Sequence, residues 1–152
     1  MSNPTASKPG KGLVAGYWIF TVLFCLQMSF TAYYELCVLP ASAQAFTRLG
    51  YPADFFRIEL SWAKVAGVLA LLIPMVPSRL KEWAYAGFAI NLISALIAHI
   101  SISDRPQAFI PSSLTSVLWA FSYFFWRKLE ARTKAQTQAG NQSYAAAPPI
   151  SQ

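Results

Sequence analysis

An all-α membrane protein built as a four-helix bundle is what this sequence predicts, on three observations. The 152-residue chain is 55% hydrophobic and only 12% charged, about half the charge of an ordinary soluble domain. Its apolar residues gather into four runs, each near the length a helix needs to cross a bilayer. Its positive charges sit at the ends of those runs, where a membrane protein carries its orientation signal. The net charge of +6 forms no basic patch with interleaved aromatics, which argues against nucleic acid as a partner.

Residues 1–14 open with "MSNPTASKPG", polar and marked by Pro and Gly, and read as a disordered cytoplasmic tail. The first span, Tyr17 to Val38, covers about 33 Å at ~1.5 Å per residue, enough for a hydrocarbon core of ~30 Å. It is too long for a signal-peptide core, and Phe30 stands where cleavage needs a small residue. The connector 39–54, "LPASAQAFTRLGYPAD", predicts a short interfacial helix started by Pro40 and ended by Gly50. Ala43, Phe46 and Leu49 fall on one side of it.

The second span, Phe55 to Ile73, stops at "PMVP" because proline interrupts helices. The turn "PSRLKE" leads into the third span, Trp83 to Ile102. The loop "SDRPQAFIP" leads into the fourth, Ser112 to Trp126. The charged "RKLEARTK" then extends the helix, and 129–152 reads as a charged, then low-complexity, cytoplasmic tail. Tyr17, Trp18, Tyr33, Tyr34, Trp83, Tyr85 and Trp126 fall near span ends, as interfacial rings do.

Orientation follows from the basic residues. Lys8, Lys11, Arg79, Lys81, Arg127, Lys128, Arg132 and Lys134 lie on one side; Arg48, Arg57 and Arg105 lie on the other. Eight against three puts both termini in the cytoplasm. Cys25 and Cys37 are twelve residues apart in the first run. In a helix that is roughly 18 Å along the axis, far beyond the ~7 Å limit for a disulfide.

Ionisable and strongly polar groups inside spans are the candidates for chemistry, because each is costly in lipid. They are Glu35, Glu59, Lys64, Asn91 and His99. With span one running outward, span two inward and span three outward, all but the central Asn91 gather in the outer half. Glu59 and Lys64 are about 140° apart on one helix and make poor partners. Lys64 shares its face with Arg57, Ser61 and Val68. Asn91 and His99 lie on a side flanked by Gly87, Ser94, Ala95 and Ala98, small residues that favour close helix packing. Lys64 therefore needs Glu35 or His99 from a neighbouring helix, or must snorkel outward.

Two readings of the cluster stay open. In one, the charged groups form a satisfied network that sets helix register. In the other, they line an outward-facing pocket for the polar head of an apolar molecule such as a quinone. Lys64 or His99 would then donate to a carbonyl oxygen, and Glu35 or Glu59 would handle protons. One histidine and two distant cysteines assemble no metal or haem ligand set. Nor is there a phosphate-cradling glycine loop, a G-x-S-x-G elbow or an H-E-x-x-H motif.

Four stretches in order, "LGYP" at Leu49–Pro52, "KVAGVLALLIP" at Lys64–Pro74, "RLKEWAYAGFAI" at Arg79–Ile90 and "HISISD" at His99–Asp104, resemble the DoxX-like family of small bacterial four-span membrane proteins. The resemblance covers roughly residues 15–128 and puts Lys64, Glu82, His99 and Asp104 at recurrent positions of the family. It implies a four-helix bundle in the bacterial cytoplasmic membrane. It also implies a link to quinone-dependent redox complexes, since the family is named for a subunit of a quinol oxidase complex. On that basis the chain is expected to be a non-catalytic component of a larger assembly, with a self-contained quinone- or lipophile-binding enzyme or transporter as the alternative. No cofactor motif is evident, and quinone is the candidate ligand. The expected partners are the lipid bilayer, redox-complex subunits and further copies of the chain.

Overall fold

The computed structural model describes residues 10–37, 39–50 and 54–145. Among the described residues it is all helix: α1 (Lys11–Cys37), α2 (Leu39–Arg48), α3 (Asp54–Leu72), α4 (Ser78–Ser101) and α5 (Phe109–Ala145), the last entered through a 3-10 turn at Pro106–Ala108. The expected tails at 1–9 and 146–152 lie outside the described residues. The four long helices form a ring in which α1 and α4 each pack between α3 and α5. Consecutive long helices run antiparallel, as the Tyr17–Leu71 and Glu35–Lys64 contacts at opposite ends of α1 show for α1 and α3, the up-down arrangement of a simple bundle. α2 lies across one end, against α1 and α3.

Helix bounds depart from expectation mainly at the ends. α1 starts at Lys11, inside the stretch read as a tail. α5 runs on past Trp126 to Ala145, because no proline intervenes before 148 and Lys134 pairs with Glu130 one turn away at 2.8 Å. α2 does begin at Leu39–Pro40, and Gly50, at φ 78°, takes the left-handed turn that follows it. Ala43, Phe46 and Leu49 form its half-buried side.

Packing follows a stripe on each helix. On α1 it runs Tyr17, Thr21, Phe24, Met28, Ala32 and Glu35; on α3, Arg57, Ser61, Lys64, Val68 and Leu71. These spacings of three and four keep one side of each helix inward. The opposite sides are also apolar: Leu26, Phe30, Trp62, Ile90, Ile93 and Ile97 are all exposed. A soluble monomer rarely exposes contiguous apolar surface of that kind, whereas lipid is a good solvent for it. Among the described residues three helices, Lys11–Cys37, Ser78–Ser101 and Pro106–Ser143, are long and apolar enough to cross a membrane, which marks a multi-pass membrane protein. α3 falls outside that group; its 19 residues include Arg57, Glu59 and Lys64.

Two sequence expectations need correction. Tyr17, Tyr85 and Trp126 are not interfacial: they are buried in the core, where Trp126 is 6% exposed against 76% for Trp83. Tyr85 packs edge-on to Tyr123 at 5.3 Å and beside Trp126 at 5.3 Å. Its hydroxyl meets Ser122 Oγ at 2.7 Å, and Ser122 meets Thr21 Oγ1 at 2.7 Å. A buried partner for the phenol lets the ring point inward. On α4 the buried residues are Lys81, Tyr85, Phe88, Leu92 and Ala98; of the small residues expected to pack, Ala98 does so, Ser94 and Ala95 are half-buried, and Gly87 is exposed beside the half-buried Asn91. Large rings bury more apolar area than the small-residue side could.

The α3–α4 contact depends on a missing side chain. A Cβ built on Gly67 would sit 2.7 Å from the Phe88 ring, whereas one built on Gly87 meets nothing within 4 Å. Gly67→Leu should therefore destabilise the bundle by about 1–3 kcal/mol through overpacking, while Gly87→Leu changes little. Thermal unfolding in detergent checks both, and equal midpoints for the two variants would refute this account.

Candidate functional site

The buried charges centre on Glu35, near the C-terminus of α1. The Lys64 ammonium, on the facing side of α3, pairs with Glu35 Oε1. Ser61 Oγ lies 2.9 Å from Glu35 Oε2 and 2.8 Å from the Arg57 carbonyl, sharing its hydroxyl proton between them. Arg57 Nη1 donates to the Glu35 carbonyl. Arg57, Ser61 and Lys64 reach one partner because they are spaced by four and three on one side of α3. All are buried, at 3%, 0% and 6% exposed. Of the two partners the sequence offers Lys64, the structure uses Glu35.

His99 goes elsewhere. α4 ends in a Schellman motif: the Asp104 amide donates to the His99 carbonyl at 3.1 Å, and the Ser103 amide to that of Ile100 at 3.0 Å. Ser103 takes the left-handed position at φ 49°, where glycine is usual. The turn folds Asp104 back under the helix end, with Oδ2 3.0 Å from His99 Nδ1. Arg48 of α2 pairs with the other carboxylate oxygen. The His99 hydrogen bond, then the Arg105 amide, hold the Asp104 carboxyl below its ordinary pKa. This cluster ties α2 to the end of α4.

Beside the Glu35–Lys64 pair lies a chamber of about 190 Å3 under α2. Gln27, Glu35, Lys64, Asn91 and Thr115 give it polar walls. Met28, Leu60 and Leu92 add apolar wall, and Phe46 of α2 with Leu49 just after it roofs the chamber. Of the five sequence candidates, Glu35, Lys64 and Asn91 converge there. Glu59 is exposed on the outside of α3, and His99 is not among the chamber's lining residues. Gln27 and Thr115 lie outside that set of five. Gln27 carried the same signal as Asn91, an amide inside an apolar run; Thr115 carried none, since a threonine in a span commonly bonds its own helix, as this one does to the Pro111 carbonyl at 2.7 Å.

The amides of Gln27 and Asn91 have no hydrogen-bond partner among the described residues, so the chamber offers both donors and acceptors. Glu35 and Lys64 neutralise one another at its edge. The arrangement suits an uncharged polar group better than an ion. At the opposite end of the bundle, Glu82 pairs with Arg127 at 3.2 Å.

Removing one member of a buried pair strands the other charge, which costs about 3–5 kcal/mol. Lys64→Met should destabilise the protein on that scale, and adding Glu35→Gln should restore most of the loss. A double-mutant cycle on unfolding measures the coupling; simple additivity would show that the pair is not energetically linked.

The model of the DoxX-like family matches residues 19–121, which takes in the chamber, the ion pair and α2. Comparison with curated proteins and with solved structures gave no match.

Proposed function

The chain belongs to the DoxX-like family, and on that premise we propose that it is a four-span protein of the bacterial cytoplasmic membrane whose outer-half chamber holds the polar head of a lipophilic molecule, a quinone in the first instance. The observation that carries this reading is the convergence of Glu35, Lys64 and Asn91 on one chamber. A quinone head is uncharged and presents carbonyl acceptors, which match the Asn91 and Gln27 amides and the Lys64 ammonium. The chamber's apolar walls would exclude water from those bonds.

The role is that of a binding component within a larger redox assembly rather than of an enzyme by itself. Lys64 and Glu35 are committed to one another, so neither stands as a ready acid or base. The α5 arm from Arg127 to Ala145 is mostly exposed and gives cytoplasmic partners a surface. α3 completes the fourth span by turning Arg57 and Lys64 inward onto Glu35, and the eight-to-three distribution of basic residues supports cytoplasmic termini.

Topology is checked with single cysteines at Ser103 and Ser78 in a background lacking Cys25 and Cys37. An impermeant thiol reagent should label intact cells only at position 103; labelling at 78 would reverse the orientation. For the ligand, a decyl-tailed ubiquinone analogue should bind the purified protein. Asn91→Leu should weaken that binding about tenfold, the effect of one lost hydrogen bond in a dry site, whereas His99→Ala and Glu59→Gln should leave it unchanged. Equal loss in all three variants would place the head elsewhere.

A further inference from the structure

The chamber is too small for a whole lipophilic ligand. Its volume of about 190 Å3 is below the ~300 Å3 at which ligand pockets usually begin. A second cavity, of about 330 Å3, adjoins it between α3 and α4 and shares Leu60, Lys64 and Asn91 as a common wall. Away from that wall this groove is apolar and shallow-sided. Ala63, Gly67 and Ala70 line it from α3, and Trp83, Ala84 and Gly87 from α4. Ala63, Trp83 and Gly87 are exposed, so the groove is open along the side of the bundle that meets lipid. From Asn91 back to Leu80 it follows α4 for eleven residues, about 16 Å at the helical rise.

Resting on the reading of the chamber as a head site, we propose that the α3–α4 groove is the tail channel of the same site and its lateral opening to the bilayer. The ligand class is then a single-tailed amphiphile with a small uncharged head. The head sits under α2 against Asn91, and the tail runs down the groove toward the inner leaflet. Small residues are needed along both walls because a chain must lie between the helices without parting them. The groove floor is fixed by Phe88, held over Gly67 with no room for a Cβ between them. Asn91 is the junction: its amide lines both cavities and has no partner among the described residues, so it can meet the head just where the tail begins.

Gly87 provides the test. A side chain there meets no neighbour within 4 Å and would project into the groove. Gly87→Leu should keep the wild-type unfolding midpoint yet bind the decyl-tailed ubiquinone analogue about tenfold more weakly, through displaced apolar contact. Its affinity for the tail-less dimethoxy-methyl-benzoquinone should match wild type. Ala63→Leu, which fills the groove from the opposite wall, should behave alike and stands in if Gly87→Leu unfolds. Unchanged binding of the tailed analogue in both groove variants, with Asn91→Leu still impaired, would overturn the tail channel and leave the head chamber standing. If wild type binds neither analogue, the head chamber falls and the channel with it. A groove variant that alters the mass of the purified protein without altering binding would assign the groove to a second copy of the chain, and also overturns the proposal.

Discussion

The ion pair between Lys64 and Glu35 governs what the rest of this bundle can be. Neither charge is tolerable alone in hydrocarbon or in a dry protein interior, so α1 and α3 must face each other at one rotation and one height. Ser61 and Arg57 join the same carboxyl end of α1, which removes the freedom to slide by a turn. The desolvation that the pair requires means that it adds little net stability beyond a well-packed apolar alternative. Its contribution is to make every other register costly.

A second polar layer, toward the opposite end, does the same for the other helices at lower stakes. Thr21, Ser122 and Tyr85 link α1, α5 and α4 through two contacts of 2.7 Å, and Trp119 donates to the Tyr85 carbonyl at 3.0 Å. Between membrane helices the packing of apolar surface discriminates poorly, because lipid is as apolar as the partner. Short hydroxyl contacts and close-fitting pairs such as Gly67 with Phe88 supply the discrimination instead. The chamber occupies the space where the two devices leave α4 unfilled, next to Asn91.

Much of this was legible in the residues. A helix is expected over Phe55–Ile73 and α3 occupies Asp54–Leu72; that Arg57, Ser61, Lys64 and Val68 share one face follows from periodicity alone, while its turning inward shows only in the packed structure. The charge rule for lipid narrowed the partner of Lys64 to two residues, one of which it uses. What remained hidden has specific causes. Thr133 and Ser116 bond carbonyls of their own helix, whereas Thr21 and Ser122 bond each other, and no local pattern separates those cases. The turn that pairs His99 with Asp104 uses serine where glycine would have announced it. Tyr17, Tyr85 and Trp126 lie at span ends like their interfacial neighbours, and only the facing helices draw them inward.

The composition of α3 bears on how such a protein reaches its membrane. Arg57, Glu59 and Lys64 keep this helix out of the group apolar enough to insert by itself, since each charge near a helix centre costs about 2.5–3.5 kcal/mol on insertion scales. α1 precedes α3 in the chain and carries the carboxylate that pairs with Lys64. In the proposed four-span arrangement, α3 therefore suffices as a span only together with α1, which supplies the countercharge that lipid cannot.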